Sequence, residues 1–162
     1  MMPDSVLKES LRQELVELLT ADLATRSRAY RAASDAATHE EAKPENDKDT
    51  RALEQSYLAR GEAMRVEELR SALAEVQSMP LPRLSPMAPV GLGAIVSVDE
   101  AGTARHLWIA PHGGGALLRA GKIQVVTPKS PVGRALIGKR AGDDCEIVVA
   151  ARTREIAILA VR

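Results

Sequence analysis

The chain has 162 residues with 22 acidic and 22 basic side chains, a length that suits one ordinary domain or two small ones. Its single cysteine, Cys145, excludes an internal disulfide and fits a reducing compartment. The N-terminus turns acidic and polar at once, and no apolar run approaches the roughly 18 residues of a membrane span, so a soluble, cytoplasmic protein is expected.

Asp4 and Ser5 offer caps for a first helix. Val6, Leu7, Leu11, Leu15, Leu18, Leu19 and Leu23 then recur at spacings of three and four and give it one apolar stripe. From residue 24 to 37 the stripe thins to alanines with Tyr30, so propensity keeps the segment helical while a partner helix can approach closely. Residues 39–50, H-E-E-A-K-P-E-N-D-K-D-T, interrupt the pattern with Glu40, Glu41, Glu45, Asp47 and Asp49 against Lys43 and Lys48. Pro44 forbids a continuous helix there, and the segment reads as the polar tip of a hairpin. Asp49 or Thr50 can cap a second helix, with Leu53, Tyr57, Met64, Val66, Leu69, Leu73 and Val76 as its stripe and Gly61 as its weak point. At about 1.5 Å per residue the first helix spans on the order of 50 Å, too long for a compact domain of this size. Residues 1–78 therefore read as an antiparallel coiled-coil hairpin.

Residues 79–89, M-P-L-P-R-L-S-P-M-A-P, place four prolines in eleven residues and read as an extended, semi-rigid linker over 79–90. Beyond it the apolar period becomes two, and residues 94–98, 105–110, 122–127, 145–150 and 154–161 read as strands. Residues 99–103 carry the turn chemistry of a hairpin. Ser130 and Pro131 are an N-cap and first helical residue, Ala135, Leu136 and Ile137 supply a buried side, and Gly138 stops the helix. The fold class is α+β: a helical hairpin, then a small antiparallel sheet domain over 91–162 with one short helix.

Charge divides the same way, with 16 acidic and 12 basic residues in 1–90 against 6 and 10 in 91–162. Residues 103–140 contain no acid but hold Arg105, Arg119, Lys122, Lys129, Arg134, Lys139 and Arg140, a basic patch suited to phosphates or simply to solubility. No enzyme signature appears. Gly113, Gly114 and Gly115 lack the lysine and the strand-to-helix context of a phosphate-cradling loop and read as a flexible turn. His39, His106 and His112 have no companions at metal-ligand spacing, and Cys145 lies in an apolar strand pattern.

The segment V-V-T-P-K-S-P-V-G-R-A-L-I-G-K-R-A-G-D-D, residues 125–144, resembles the C-terminal domain of the GreA/GreB transcription elongation factors, whose pattern is S-P-[ILV]-[AG]-[RK]-[AG]-L-[IL]-G-K followed by G-D; Rnk shares it. Hairpin, linker and sheet domain fall in the family's order. The resemblance implies an FKBP-like C-terminal fold that docks on RNA polymerase at the rim of its secondary channel, through Ser130, Pro131, Arg134, Gly138 and Lys139, aided by the basic patch of Arg105, Arg119, Lys122, Lys129 and Arg140. It implies a hairpin that enters the channel and brings its acidic tip near the catalytic metal. The protein then has no catalytic residues of its own and at most stimulates the polymerase's own transcript cleavage.

The tip departs from the family's G-D-L-S-E-N-A-E-Y. Glu45 and Asn46 match its E-N pair, but Ala42 stands where the first Asp belongs, and Lys48 and Asp49 replace the later Glu and Tyr. The resemblance gives Glu45 as a carboxylate for a weak Mg2+ shared with the polymerase active site, since that ion takes hard oxygen ligands; Glu41 or Asp47 would supply a second, with Asp49 in reserve. No tightly bound cofactor is expected. Ala42, Pro44 and Lys48 slightly favour a channel-binding regulator that does not cleave over a cleavage factor. The chain is expected to be monomeric and to meet nucleic acid only within the transcription complex. Two other functions weigh less: a peptidyl-prolyl isomerase needs aromatic pocket walls, and residues 91–162 hold only Trp108; a holdase needs an apolar tip, and this one is acidic.

Overall fold

The computed structural model describes residues 2–42 and 49–162; the side chains of residues 40–42 and 49 lie outside what is described. The chain forms two units, one of Met1–Val16 with Glu75–Arg162 and one of Glu17–Ala74. The long helices α1 (Asp4–Ala42) and α2 (Asp49–Ser78) make the helical hairpin expected from the apolar periodicity. α1 runs past its expected end near residue 37, because neither Gly nor Pro occurs between residues 38 and 42, and His39 to Ala42 are helical rather than loop.

Among the described residues of Glu17–Ala74 the buried ones are small or β-branched: Ala37, Val66 and Ala72. Leu53, Tyr57 and Met64, expected in the α2 stripe, are exposed. At about 100° per residue they lie on the side of α2 opposite Val66, Leu69 and Leu73, so the apparent single stripe joined two faces.

The other unit is built on a six-stranded sheet in the order β3-β4-β2-β1-β6-β5, with β1 (Ile95–Glu100), β2 (Thr103–Ile109), β3 (Leu117–Leu118), β4 (Ile123–Val126), β5 (Asp144–Val149) and β6 (Arg152–Val161). Five strands were expected; β3, two residues long, falls below what periodicity can reveal. The sheet is also not wholly antiparallel, because β2 and β4 pair in parallel, Trp108 opposite Val125. A parallel pair cannot close with a tight turn, so residues 110–122 make the return. The β1–β2 hairpin turns at Ala101-Gly102, where Gly102 N donates to Asp99 Oδ1 at 2.8 Å. Helix α3 (Pro131–Leu136) is the one short helix expected.

Alternation along the strands sends Val96, Val98, Leu107, Ile109, Val126, Ile156 and Ile158 to one face, in a core with Leu136 of α3 and Cys145, Ile147 and Val90. The opposite face carries Ile95, Trp108, Leu118, Ile123 and Val125, also buried. The start of α1 lies on this side: a Cβ built on Gly113 would stand 2.6 Å from Leu15 Cδ1, and both Glu14 oxygens accept from Arg119 N at 3.0 and 3.1 Å. Both faces are covered there, which is why L-W-I-A of β2 reads as an unbroken apolar run.

Candidate functional site

The S-P-V-G-R-A-L-I-G-K motif is first a folding device. Ser130 caps α3, its Oγ accepting from Gly133 N at 3.0 Å and donating to Thr127 O at 2.8 Å, with Pro131 at the first helical position. Gly133 is buried and presses its backbone on Thr127, whose carbonyl oxygen would stand 1.9 Å from an added Cβ. Gly138 adopts φ +81° and donates its N–H to Val90 O at 2.9 Å, while Lys139 O accepts from Val90 N at 2.8 Å. What remains outside is a face of Pro131, Arg134, Gly138 and Lys139, all exposed. Ile137, expected inside, is 39% exposed because the helix ends beneath it.

The proline-rich stretch adds to this face. Arg140 donates from Nη1 to Met87 O at 2.5 Å, and Met87 is 63% exposed. An exposed methionine between prolines was the signal in the sequence, and linker composition hid it. The stretch is bound rather than free: Lys8 Nζ donates to Pro82 O at 2.7 Å, Arg12 to Met79 O at 3.4 Å, and Leu84 packs on the core. Lys8 is almost fully buried, and loss of water pushes its ammonium below the ordinary lysine pKa, against the pull of Asp4 and with a push from Arg162.

The basic residues of 103–140 are held by different partners. Arg119 joins α1, its guanidinium 3.3 Å from Ser10 Oγ. Arg140 turns to Met87 O, and its backbone N donates to Asp143 at 2.8 Å. Arg105 shares Glu100 with Arg154, donating to Glu100 Oε2 at 2.7 Å and to Gln124 Oε1 at 2.5 Å. Burial, the largest single influence, pushes the Glu100 carboxyl up, but the bonds and charges of Arg105 and Arg154 together hold it below the usual range. Lys122 and Lys129 are exposed.

Of the three glycines, Gly113 (φ +84°) faces Leu15 and Gly114 lies against the Thr127 methyl, while Gly115 has open space around it. His106 Nδ1 is 3.0 Å from Ser97 Oγ. His112 Nε2 is 3.1 Å from Glu75 Oε2, at ion-pair distance but without hydrogen-bond alignment. Among the described residues no three His, Cys, Asp or Glu side chains converge as a metal site, and no helix is long and apolar enough to cross a membrane. Cys145 is buried and its thiol pKa is raised, chiefly by loss of water. Trp108 is fully buried, so its ring walls no open pocket. The tip candidates Glu45, Asn46 and Asp47 lie outside the described residues, as do the side chains of Glu41 and Asp49.

Residues 117–162 match the family described as "Transcription elongation factor, GreA/GreB, C-term". The Transcription elongation factor GreA of Methylococcus capsulatus is 33% identical over 155 residues, covering 95% of this chain and 92% of that one. Among solved structures, GreA factor homolog 1 (Gfh1) of Thermus thermophilus is 17% identical with a TM-score of 0.39, covering 91% of this chain and 94% of its own. Thermus aquaticus Gfh1 is 21% identical with a TM-score of 0.41, covering 90% and 92%.

Proposed function

The chain belongs to the GreA/GreB family of transcription elongation factors, and from that membership we propose that it binds RNA polymerase and works from the enzyme's secondary channel. The carrying observation is that the kinship spans 95% of the chain, so hairpin and sheet domain are inherited together. The sheet domain docks through the face of α3, where Ile137 and Met87 are apolar contacts and Arg134 and Lys139 favour an acidic partner surface. The segment between α1 and α2 is the part that reaches toward the polymerase's catalytic centre.

The protein supplies no catalytic group of its own. Glu45, Glu41 and Asp47 are the carboxylates that would share a Mg2+ with the polymerase, and the ion would supply an activated water for phosphodiester hydrolysis. Ala42 in place of the family's Asp, together with Lys43 and Lys48, withdraws negative charge from that task. The preferred reading is therefore a channel-bound regulator that leaves cleavage at the polymerase's intrinsic rate. The matching Glu45-Asn46 pair favours the second reading, stimulation of cleavage.

Docking is tested by retaining full-length protein on immobilised core polymerase, comparing wild type with Ile137→Asp and with Arg134→Glu/Lys139→Glu, after circular dichroism has shown each variant folded. Wild type is retained, and each variant binds about tenfold or more weakly, as loss of a central interface contact implies. Unchanged retention by both variants would reject this face as the docking surface.

A further inference from the structure

We propose that the sheet domain carries a phosphate-binding site, separate from the α3 face, at the end of β2 and β4, for a phosphate borne by a nucleotide or by a nucleic-acid backbone. A recess of about 480 Å³ opens there, lined by Arg105, His106, Lys122, Gln124 and Leu117 among others, and none of its lining residues is acidic. Arg105 and Gln124 are already held by each other. Gln124 Oε1 accepts from Arg105, which leaves its amide NH2 as the free donor. His106 borders the recess, but its ring lies on the opposite face of the sheet, where Nδ1 meets Ser97 Oγ. Lys122 is exposed beside Gly121 on the short turn into β4 and carries its charge into the recess.

Arg105 is not cancelled by its ion pair. Glu100 is one carboxylate shared by Arg105 and Arg154, so the three carry a net positive charge, and Glu100 itself does not line the recess. A phosphate meets there a guanidinium held in place, a mobile ammonium and one neutral amide donor, the mixture of fixed and point charges that phosphate recognition uses. Leu117, 60% exposed, gives an apolar lip against which a sugar or base can lie. The acid-free run of residues 103–140 thus contributes one local site from Arg105 and Lys122, while Arg119 and Arg140 are spent on α1 and Met87. This site does not depend on polymerase docking.

The test is a titration of 15N-labelled full-length protein followed by amide shifts, with sodium pyrophosphate in one arm and a short single-stranded oligoribonucleotide in the other. Saturable shifts confined to residues 104–106 and 117–124 are expected. Saturation by pyrophosphate alone assigns a free nucleotide, and clearly tighter binding of the oligoribonucleotide assigns a nucleic-acid backbone. Lys122→Glu weakens binding by about tenfold or more, whereas Lys129→Glu, an equal charge change outside the recess, leaves it within about twofold. Equal weakening by Lys129→Glu would reduce the effect to net charge and overturn the proposal, as would the absence of saturable shifts in both arms.

Discussion

Gly93 and Gly102 share one backbone conformation in different surroundings, which separates two costs that usually arrive together. Their φ angles are +82° and +83°. A Cβ on Gly93 would stand 2.5 Å from Pro80 O and 2.7 Å from Pro82 Cδ, a backbone atom and a rigid ring, whereas a Cβ on Gly102 meets nothing within 4 Å. Alanine at either site carries the left-handed penalty of about 1–2 kcal/mol. Only Gly93→Ala must also displace the proline stretch from the strand entry, adding about 1–3 kcal/mol by analogy with overpacked cores. The expected losses are therefore about 1–2 kcal/mol for Gly102→Ala and roughly 2–5 kcal/mol for Gly93→Ala. Urea unfolding followed by the fluorescence of Trp108, the one tryptophan and fully buried in this unit, reports both. Losses equal within about 0.5 kcal/mol, near the error of such extrapolations, would show that the proline stretch is not packed against Gly93 as described.

Gly61 lies in mid-helix with open space around its Cα, so Gly61→Ala should stabilise the hairpin by about 0.5–1 kcal/mol, read as increased ellipticity near the melting temperature. Ala150 and Ala151 both adopt positive φ in the β5–β6 turn, so Ala150→Asn/Ala151→Gly should raise the urea midpoint of the sheet domain by about 0.5–2 kcal/mol of stability; a fall would contradict the turn geometry. The Glu100 carboxyl titrates below its unfolded value, so its contribution is fully present above the unfolded pKa, near 4.5, and disappears as pH falls through the lower folded value. Wild type should therefore lose more stability than Glu100→Gln between pH 6 and pH 3, measured as shifts in urea midpoint; parallel curves would remove Glu100 from the account.

Local signals in the sequence told much of the fold. Ser130, Pro131 and Gly138 bracket α3 because cap and stop residues act over one turn, and a period of two located five strands because alternation survives wherever one face is buried. β3 escaped because two residues carry no period, and the parallel pairing of β2 with β4 escaped because pairing direction is decided by the return path of residues 110–122. Leu53, Tyr57 and Met64 misled because spacings of four and seven also describe the outer face of α2. At the site, the exposed motif residues Arg134 and Lys139 were legible. The placement of Met87 was not, since it depends on Arg140 reaching back 53 positions along the chain. The division of the basic run was equally hidden, because Glu14, Glu100 and Gln124 arrive from other elements.

The most direct measurement adds the full-length protein to a purified, backtracked RNA polymerase complex and follows retention of the protein and length of the transcript 3′ end together. The account predicts that the protein stays with the complex, that the transcript shortens only at the polymerase's intrinsic rate, and that Glu45→Ala changes neither retention nor that rate. Failure of the protein to remain with the complex would contradict polymerase binding. Rapid shortening that requires Mg2+ and is lost with Glu45→Ala would contradict the non-cleaving role and establish Glu45 as a ligand of the shared ion.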